Sequence, residues 1–170
     1  MISIREMIKK DQVGFVFSYL PYNNKEYFID NKTAILLNKL LARLNNKFPN
    51  YFSKCLYHNY RYTTALSNMI DNDLDLKSIT SEKNIARIYE EIKDLGIVIC
   101  FGEKAHFAVN KVKEVYNTHF QIIKTKMLAL PVSRHIKSMS QNNFKALRAN
   151  FQIISHYNEI EKQLLNYNID

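Results

Sequence analysis

Short, wholly apolar runs alternate along this chain with longer stretches in which apolar residues recur every three or four positions. The clearest pair lies at residues 95–112, LGIVICFGEKAHFAVNKV. Ile97, Val98, Ile99, Cys100 and Phe101 form an unbroken apolar run between Gly96 and Gly102. Such a run, rich in β-branched residues and bounded by glycines, predicts a strand buried on both faces. Ala105, Ala108, Val109, Val112 and Tyr116 then follow at helical spacing. A strand, one glycine and a helix predict a unit of an open α/β sheet. Ligands of such sheets bind where strand ends pass into loops and helices.

The same alternation runs through the rest of the chain. Ile4, Met7 and Ile8 predict a short N-terminal helix. Residues 13–19 (VGFVFSY) predict the first buried strand, broken by Pro21, Asn23 and Asn24. Asp30 or Asn31 can cap a helix carrying Ile35, Leu36, Leu40, Leu41 and Leu44. Residues 51–58 (YFSKCLYH) predict the second strand, with NYRYTT at its end. Thr80 or Ser81 can cap the next helix, whose buried stripe is Ile85, Ile88, Tyr89, Ile92 and Leu95. Residues 121–130 predict the fourth strand, and Lys124 and Lys126 mark it as an edge or as alternating between faces. Ser140 can cap a long last helix over 141–165, with Phe144, Leu147, Phe151, Ile154, Tyr157, Ile160 and Leu164 on one stripe. The order is strand, helix, four times over. It predicts one α/β domain over residues 1–170, with three layers and a mostly parallel four-stranded sheet between helices.

Composition adds limits. The chain has 170 residues, enough for one domain with a real core. Two cysteines, Cys55 and Cys100, exclude a disulfide framework and a four-cysteine metal site within one chain, and both read as core thiols. Cys55 and His58 have half of a zinc spacing with no second pair, so no metal is expected. Asp71, Asp73 and Asp75 alternate as in part of a calcium loop but lack its glycine and final glutamate. Residues 1–10 lack the apolar core of a secretory leader, and no apolar run reaches membrane-spanning length. A cytoplasmic protein with no membrane contact is the expectation.

Charge changes the picture more. The net charge is +8, and residues 103–150 hold nine Lys or Arg against Glu103 and Glu114 alone. That is seven of the eight net charges in under a third of the chain. Such a segment reads either as a solvated basic surface or as a face for nucleic-acid phosphates. With only three glycines, no strand end carries a dinucleotide fingerprint or a phosphate-binding loop, so a nucleotide cofactor is disfavoured. The strand ends instead collect an amide, an imidazole, tyrosines and a basic loop. Those groups can stack on a base, read its edge and stabilise an anion.

These four ends resemble, in order, the motifs of the uracil-DNA glycosylase superfamily. The first motif often reads GQDPY in that family. Here it is Ser18-Tyr19-Leu20-Pro21-Tyr22, which keeps Pro-Tyr. The second often reads LLLNxxLT, and residues 56–63 (LYHNYRYT) keep Asn59 and Thr63. The third strand ends in Gly before a helix with small residues, as Phe101-Gly102-Glu103-Lys104-Ala105 does. The last reads HPSPLS or HLSxRSLN; here it is His135-Ile136-Lys137-Ser138-Met139-Ser140-Gln141-Asn142. The resemblance spans about residues 13–145.

The resemblance implies a uracil-DNA glycosylase-like fold and a set of roles. Asn59 would read the Watson–Crick edge of a flipped base. His135 would donate to the departing base as negative charge grows on it. Tyr19, Leu20, Tyr22 and Phe28 would line the base pocket with Asn59, and Tyr27 or Phe28 would stack on the base. Met139 would be the wedge that fills the gap in the stack. Lys104, Lys124, Lys126, Arg134, Lys137, Ser138 and Ser140 would hold the DNA backbone. One departure matters: the Asp that orients water in the best-known branch falls on Leu20, which cannot accept a proton. Some branches replace this Asp and remain active, using Asn or His elsewhere.

Each of these residues also has a structural reading. Asn59 can satisfy a turn, Tyr22 and Met139 can pack in the core, and His135 can lie on a basic surface. The leading expectation is an enzyme that removes a deaminated or damaged base, uracil-like, from single-stranded or mismatched DNA, without a cofactor. The alternative is a catalytically idle module of the same fold that binds nucleic acid or a protein partner. A third reading is a small-molecule hydrolase using the same crevice.

Overall fold

Residues 13–18, 32–55, 61–65, 76–128 and 141–167 are described in this computed structural model. Strand β1 (Val13–Phe17) is followed by helices α1 (Lys32–Lys47) and α2 (Pro49–Phe52), then by a 3-10 turn, Ser53–Cys55. Strand β2 (Arg61–Thr64), helices α3 (Leu76–Ile79) and α4 (Glu82–Ile92), and strand β3 (Ile97–Phe101) come next. Helix α5 (Glu103–Tyr116), strand β4 (Gln121–Thr125) and helix α6 (Gln141–Asn166) complete the order.

The four strands form one sheet in the order β2-β1-β3-β4, with every neighbouring pair parallel. Thr64, Phe17, Phe101 and Thr125 lie in register across it. The next residues, Ala65, Ser18, Gly102 and Lys126, therefore make up the sheet's carboxyl edge.

Alternation along the strands divides the core in two. Phe15, Phe17, Ile97, Ile99, Phe101 and Ile123 pack with Leu37, Leu40, Leu41 and Leu44 of α1 and with Ile153, Ile160 and Leu164 of α6. Val16, Val98 and Cys100 pack on the other face with Ile85, Ile88 and Ile92 of α4 and Ala105, Ala108, Val109 and Val112 of α5. The result is three layers. All five residues of β3 are buried. At about 2 kcal/mol for each large apolar side chain taken from water, this strand and its two faces anchor the domain.

Four sequence expectations are corrected. Residues 51–55 are not the start of the second strand but part of α2 and the 3-10 turn. Pro49 occupies the first turn of α2, where its missing N–H costs nothing. Tyr51, Phe52 and Cys55 share one buried helical face in the core. The second strand is Arg61–Thr64 instead.

The fourth strand stops at Thr125 rather than reaching residue 130, although it does lie at an edge as Lys124 implied. Helix α6 covers that edge. The Gln163 amide accepts from the Lys124 N–H at 2.8 Å and donates to its carbonyl at 2.7 Å, while the Tyr167 hydroxyl donates to the Ile122 carbonyl at 3.1 Å. Three outer backbone groups of the strand, the Lys124 N–H and carbonyl and the Ile122 carbonyl, are thereby satisfied without another strand.

The stripe of α6 holds as expected at Ile160 and Leu164, with Tyr157 packed against the core, but not at two earlier positions. Phe151 and Ile154 face solvent, while Ile153, His156, Ile160 and Leu164 are buried. Ile35 of α1 is likewise exposed, and Leu37 takes its place in the core. The expected N-terminal helix, the Asp30 or Asn31 cap and the 71–75 loop lie outside the described residues. The Ser81 cap is present, accepting from the Asn84 N–H at 3.3 Å.

Candidate functional site

The carboxyl edge is knitted together around Ser18. Its N–H donates to the Phe101 carbonyl at 3.2 Å, carrying the β1–β3 ladder one residue further. Its hydroxyl donates to the same carbonyl at 3.0 Å and accepts from the Ala105 N–H at 3.1 Å. Ala105 is the third residue of α5, so the Ser18 hydroxyl caps a helix that begins 85 positions later in the chain. The residue in the capping position itself, Gly102, has no side chain to do so.

Gly102 has φ 99° and ψ 164°, a region that only glycine occupies readily. A Cβ there would sit 2.5 Å from the Ser18 Oγ and 2.7 Å from the Met127 Cγ. The Gly102 N–H donates to the Thr125 carbonyl at 2.9 Å, extending the β3–β4 ladder. Backbone, serine and glycine thus bring the ends of β1, β3 and β4 into close contact.

Beside them opens a cavity of about 700 Å³, between this edge and α6. Lys104, Lys124, Lys126 and Lys162 line it against two carboxylates, Glu103 and Glu159. Lys124 pairs with Glu103 at 2.7 Å, and this lysine holds the Glu103 carboxyl below its usual range. His106 lies near the same pair, and burial, aided by Lys124, lowers its imidazole below the ordinary value.

Thr125 and Glu159 form part of the cavity wall, with the buried His156 behind them. The Thr125 hydroxyl donates to Glu159 Oε2 at 2.6 Å and lies 2.7 Å from His156 Nδ1. A hydroxyl has one proton, and the carboxylate takes it, so His156 Nδ1 carries a proton and donates to Thr125. His156 is 2% exposed, and burial pushes its pKa down, so the ring is neutral at physiological pH. Its ring packs edge-on against Phe101, with centroids 6.0 Å apart.

A second polar anchor holds the end of β2. The Arg87 guanidinium of α4 donates to the Thr63 hydroxyl at 3.0 Å and to the Thr64 carbonyl at 2.8 Å. It also pairs with Glu91 at 3.3 Å. Burial lowers the Arg87 pKa, opposed by Glu91, yet a guanidinium remains charged throughout the physiological range. The Asn84 amide donates to the carbonyls of Ala65 at 2.7 Å and Ile79 at 2.8 Å. Thr63, kept from the second motif, is thus inside β2 and engaged by Arg87.

Of the residues expected to act, Lys104, Lys124 and Lys126 are brought together on the cavity. Asn59, His135, Tyr19, Leu20, Tyr22, Phe28, Arg134, Lys137, Ser138, Met139 and Ser140 lie outside the described residues. Asn59 was expected to follow a strand ending at His58; β2 instead begins at Arg61, two residues after Asn59. Sequence reasoning missed Thr125, His156, Glu159 and Gln163. The signal for part of this was the spacing of His156 and Glu159, which three residues apart share a helix face.

Cys55 and Cys100 are buried and not joined in a disulfide, and burial pushes the Cys100 thiol up, away from nucleophilic use. Among the described residues, no group of three or more His, Cys, Asp or Glu could hold a metal ion. None of the described helices is long and apolar enough to cross a membrane. No protein-family model, curated protein or solved structure matches the chain.

Proposed function

We propose that this domain is a DNA glycosylase of the uracil-DNA glycosylase type, removing a deaminated or damaged base by hydrolysis of its N-glycosidic bond. The observation that carries the reading is the meeting of the first and third motif segments. Ser18 opens the first, residues 101–105 form the third, and the Ser18 hydroxyl bonds both Phe101 and Ala105. They meet at the carboxyl edge of a parallel sheet, where such folds bind ligands. The β4 end leaves from the same edge at Lys126.

The chemistry follows from the residue types. Lysines 104, 124 and 126 take backbone phosphates and set the register of the strand. An extruded base enters between the strand ends, where Tyr22 limits its substituents. His135 donates to the leaving base as negative charge develops on it. The test is abasic-site formation on oligonucleotides carrying uracil, hypoxanthine or xanthine, single-stranded and mismatched. Base release supports the reading, and its absence on every substrate removes it.

One observation favours the idle binding module. Strand β2 starts at Arg61, so Asn59 precedes the strand whose carboxyl end was to present it. Together with Leu20 in place of Asp, this leaves a domain that retains a basic cavity and binds nucleic acid without excising a base. Salt-sensitive DNA binding with no base release is the outcome that selects this second reading.

A further inference from the structure

Leu20 removes the carboxylate that the resemblance would have assigned to water, yet the cavity holds two others. Glu103 is poorly suited to accept a proton, because Lys124 pairs with it at 2.7 Å and stabilises its charge. Glu159 differs. It is half-buried, it lines the cavity that Ser18 and Gly102 also line, and it sits on the helix turn after the buried His156. The Thr125 hydroxyl, itself held by His156, donates to Oε2 at 2.6 Å and fixes the carboxylate's orientation. A carboxylate locked by one oxygen can turn the other toward a water.

We propose that Glu159 is the general base of base excision in this chain, with Thr125 and His156 as its positioning residues. The inference rests on the glycosylase reading. As the C1′–N bond breaks, its electron pair leaves on the base. The water oxygen bonds to C1′ and Glu159 takes the water's proton. The protonated Glu159 then returns it to the departed base or to solvent. The charged groups around it are Lys126 from the end of β4, Lys162 on α6, and the Lys104, Lys124 and Glu103 cluster across the cavity. His156 stays neutral, so the relay adds no competing charge.

The experiment is single-turnover base release by the full chain as a function of pH. Glu159→Gln keeps the hydrogen bond to Thr125 and should lower the rate by about 10²-fold or more. Its low-salt DNA affinity should stay within about twofold of the native chain, since no phosphate contact is lost. The acid-side limb of the pH–rate profile, which reports ionisation of the base, should disappear in Glu159→Gln. Glu159→Asp should restore part of the rate. Thr125→Val should cost about tenfold while keeping the acid limb, as expected of a positioning group. Base release that survives Glu159→Gln with its acid limb intact overturns the assignment and leaves the glycosylase reading standing. If the native chain releases no base from any substrate, both fall together.

Discussion

The Ser18 Oγ lies 3.1 Å from the Ala105 nitrogen, so the first strand's last turn caps the helix after the third strand. This contact ties the end of β1 to the start of α5, and it is buried, with Ser18 only 2% exposed. Removing it should be felt as stability. Ser18→Ala deletes the cap and leaves a buried N–H without its acceptor, a loss of about 2 kcal/mol. Gly102→Ala should cost more, about 3 kcal/mol, because strain at positive φ adds to a clash with Ser18 and Met127. Urea midpoints that fall in this order at constant slope check both values. An unchanged midpoint for Gly102→Ala would refute the backbone geometry.

Stability should also depend on pH through His156. Burial lowers its folded pKa, with Lys126 adding to the shift and Glu159 opposing it. The unfolded chain accepts a proton near pH 6.5 that the folded state resists. The contribution is therefore complete above about pH 6.5 and is lost as pH falls toward the lower folded value. His156→Gln should flatten the stability profile in that window. His106 is also lowered, so His106→Gln is the control that separates the two.

Nucleic-acid affinity should fall steeply with salt as counterions are displaced from phosphates. Lys104→Gln and Lys126→Gln should each reduce the salt slope by about 1, equally across sequences. Lys124→Gln should reduce it by less, because Glu103 already offsets part of its charge at 2.7 Å. Equal effects of all three in filter or fluorescence titrations would contradict the pairing as a solution feature.

How much of this was legible in the sequence depends on whether local pattern or distant partner decides. Strand β3 and helix α5 were legible because both faces of an apolar run and one face of a helix are written in consecutive residues. The Lys124 edge was half legible: a charge within a strand signals either a sheet edge or a face that alternates, and the strand order selects the edge. Residues 51–55 misled because aromatic residues favour strands by type, while Tyr51, Phe52 and Cys55 suit one helical face by spacing. Phe151 and Ile154 misled because their spacing matches a buried stripe as well as Ile153 and His156 do. The choice fell to Thr125, which bonds His156 across 31 residues of chain. The cavity itself was only partly legible: its lysines showed as charge, but the Thr125–Glu159 wall exists only once α6 lies along β4.

The most direct measurement of the central claim is abasic-site formation by the native chain and by His135→Ala, on the same uracil-, hypoxanthine- and xanthine-containing oligonucleotides. The native chain should release base from at least one substrate. In His135→Ala release should fall by about 10²-fold or more, the cost of losing one donor to a developing anion. DNA affinity of that variant should remain close to native, since no phosphate contact is removed. Release that continues unchanged in His135→Ala would contradict the mechanism. No release from any substrate, with salt-sensitive binding intact, would contradict the enzyme and leave the binding module.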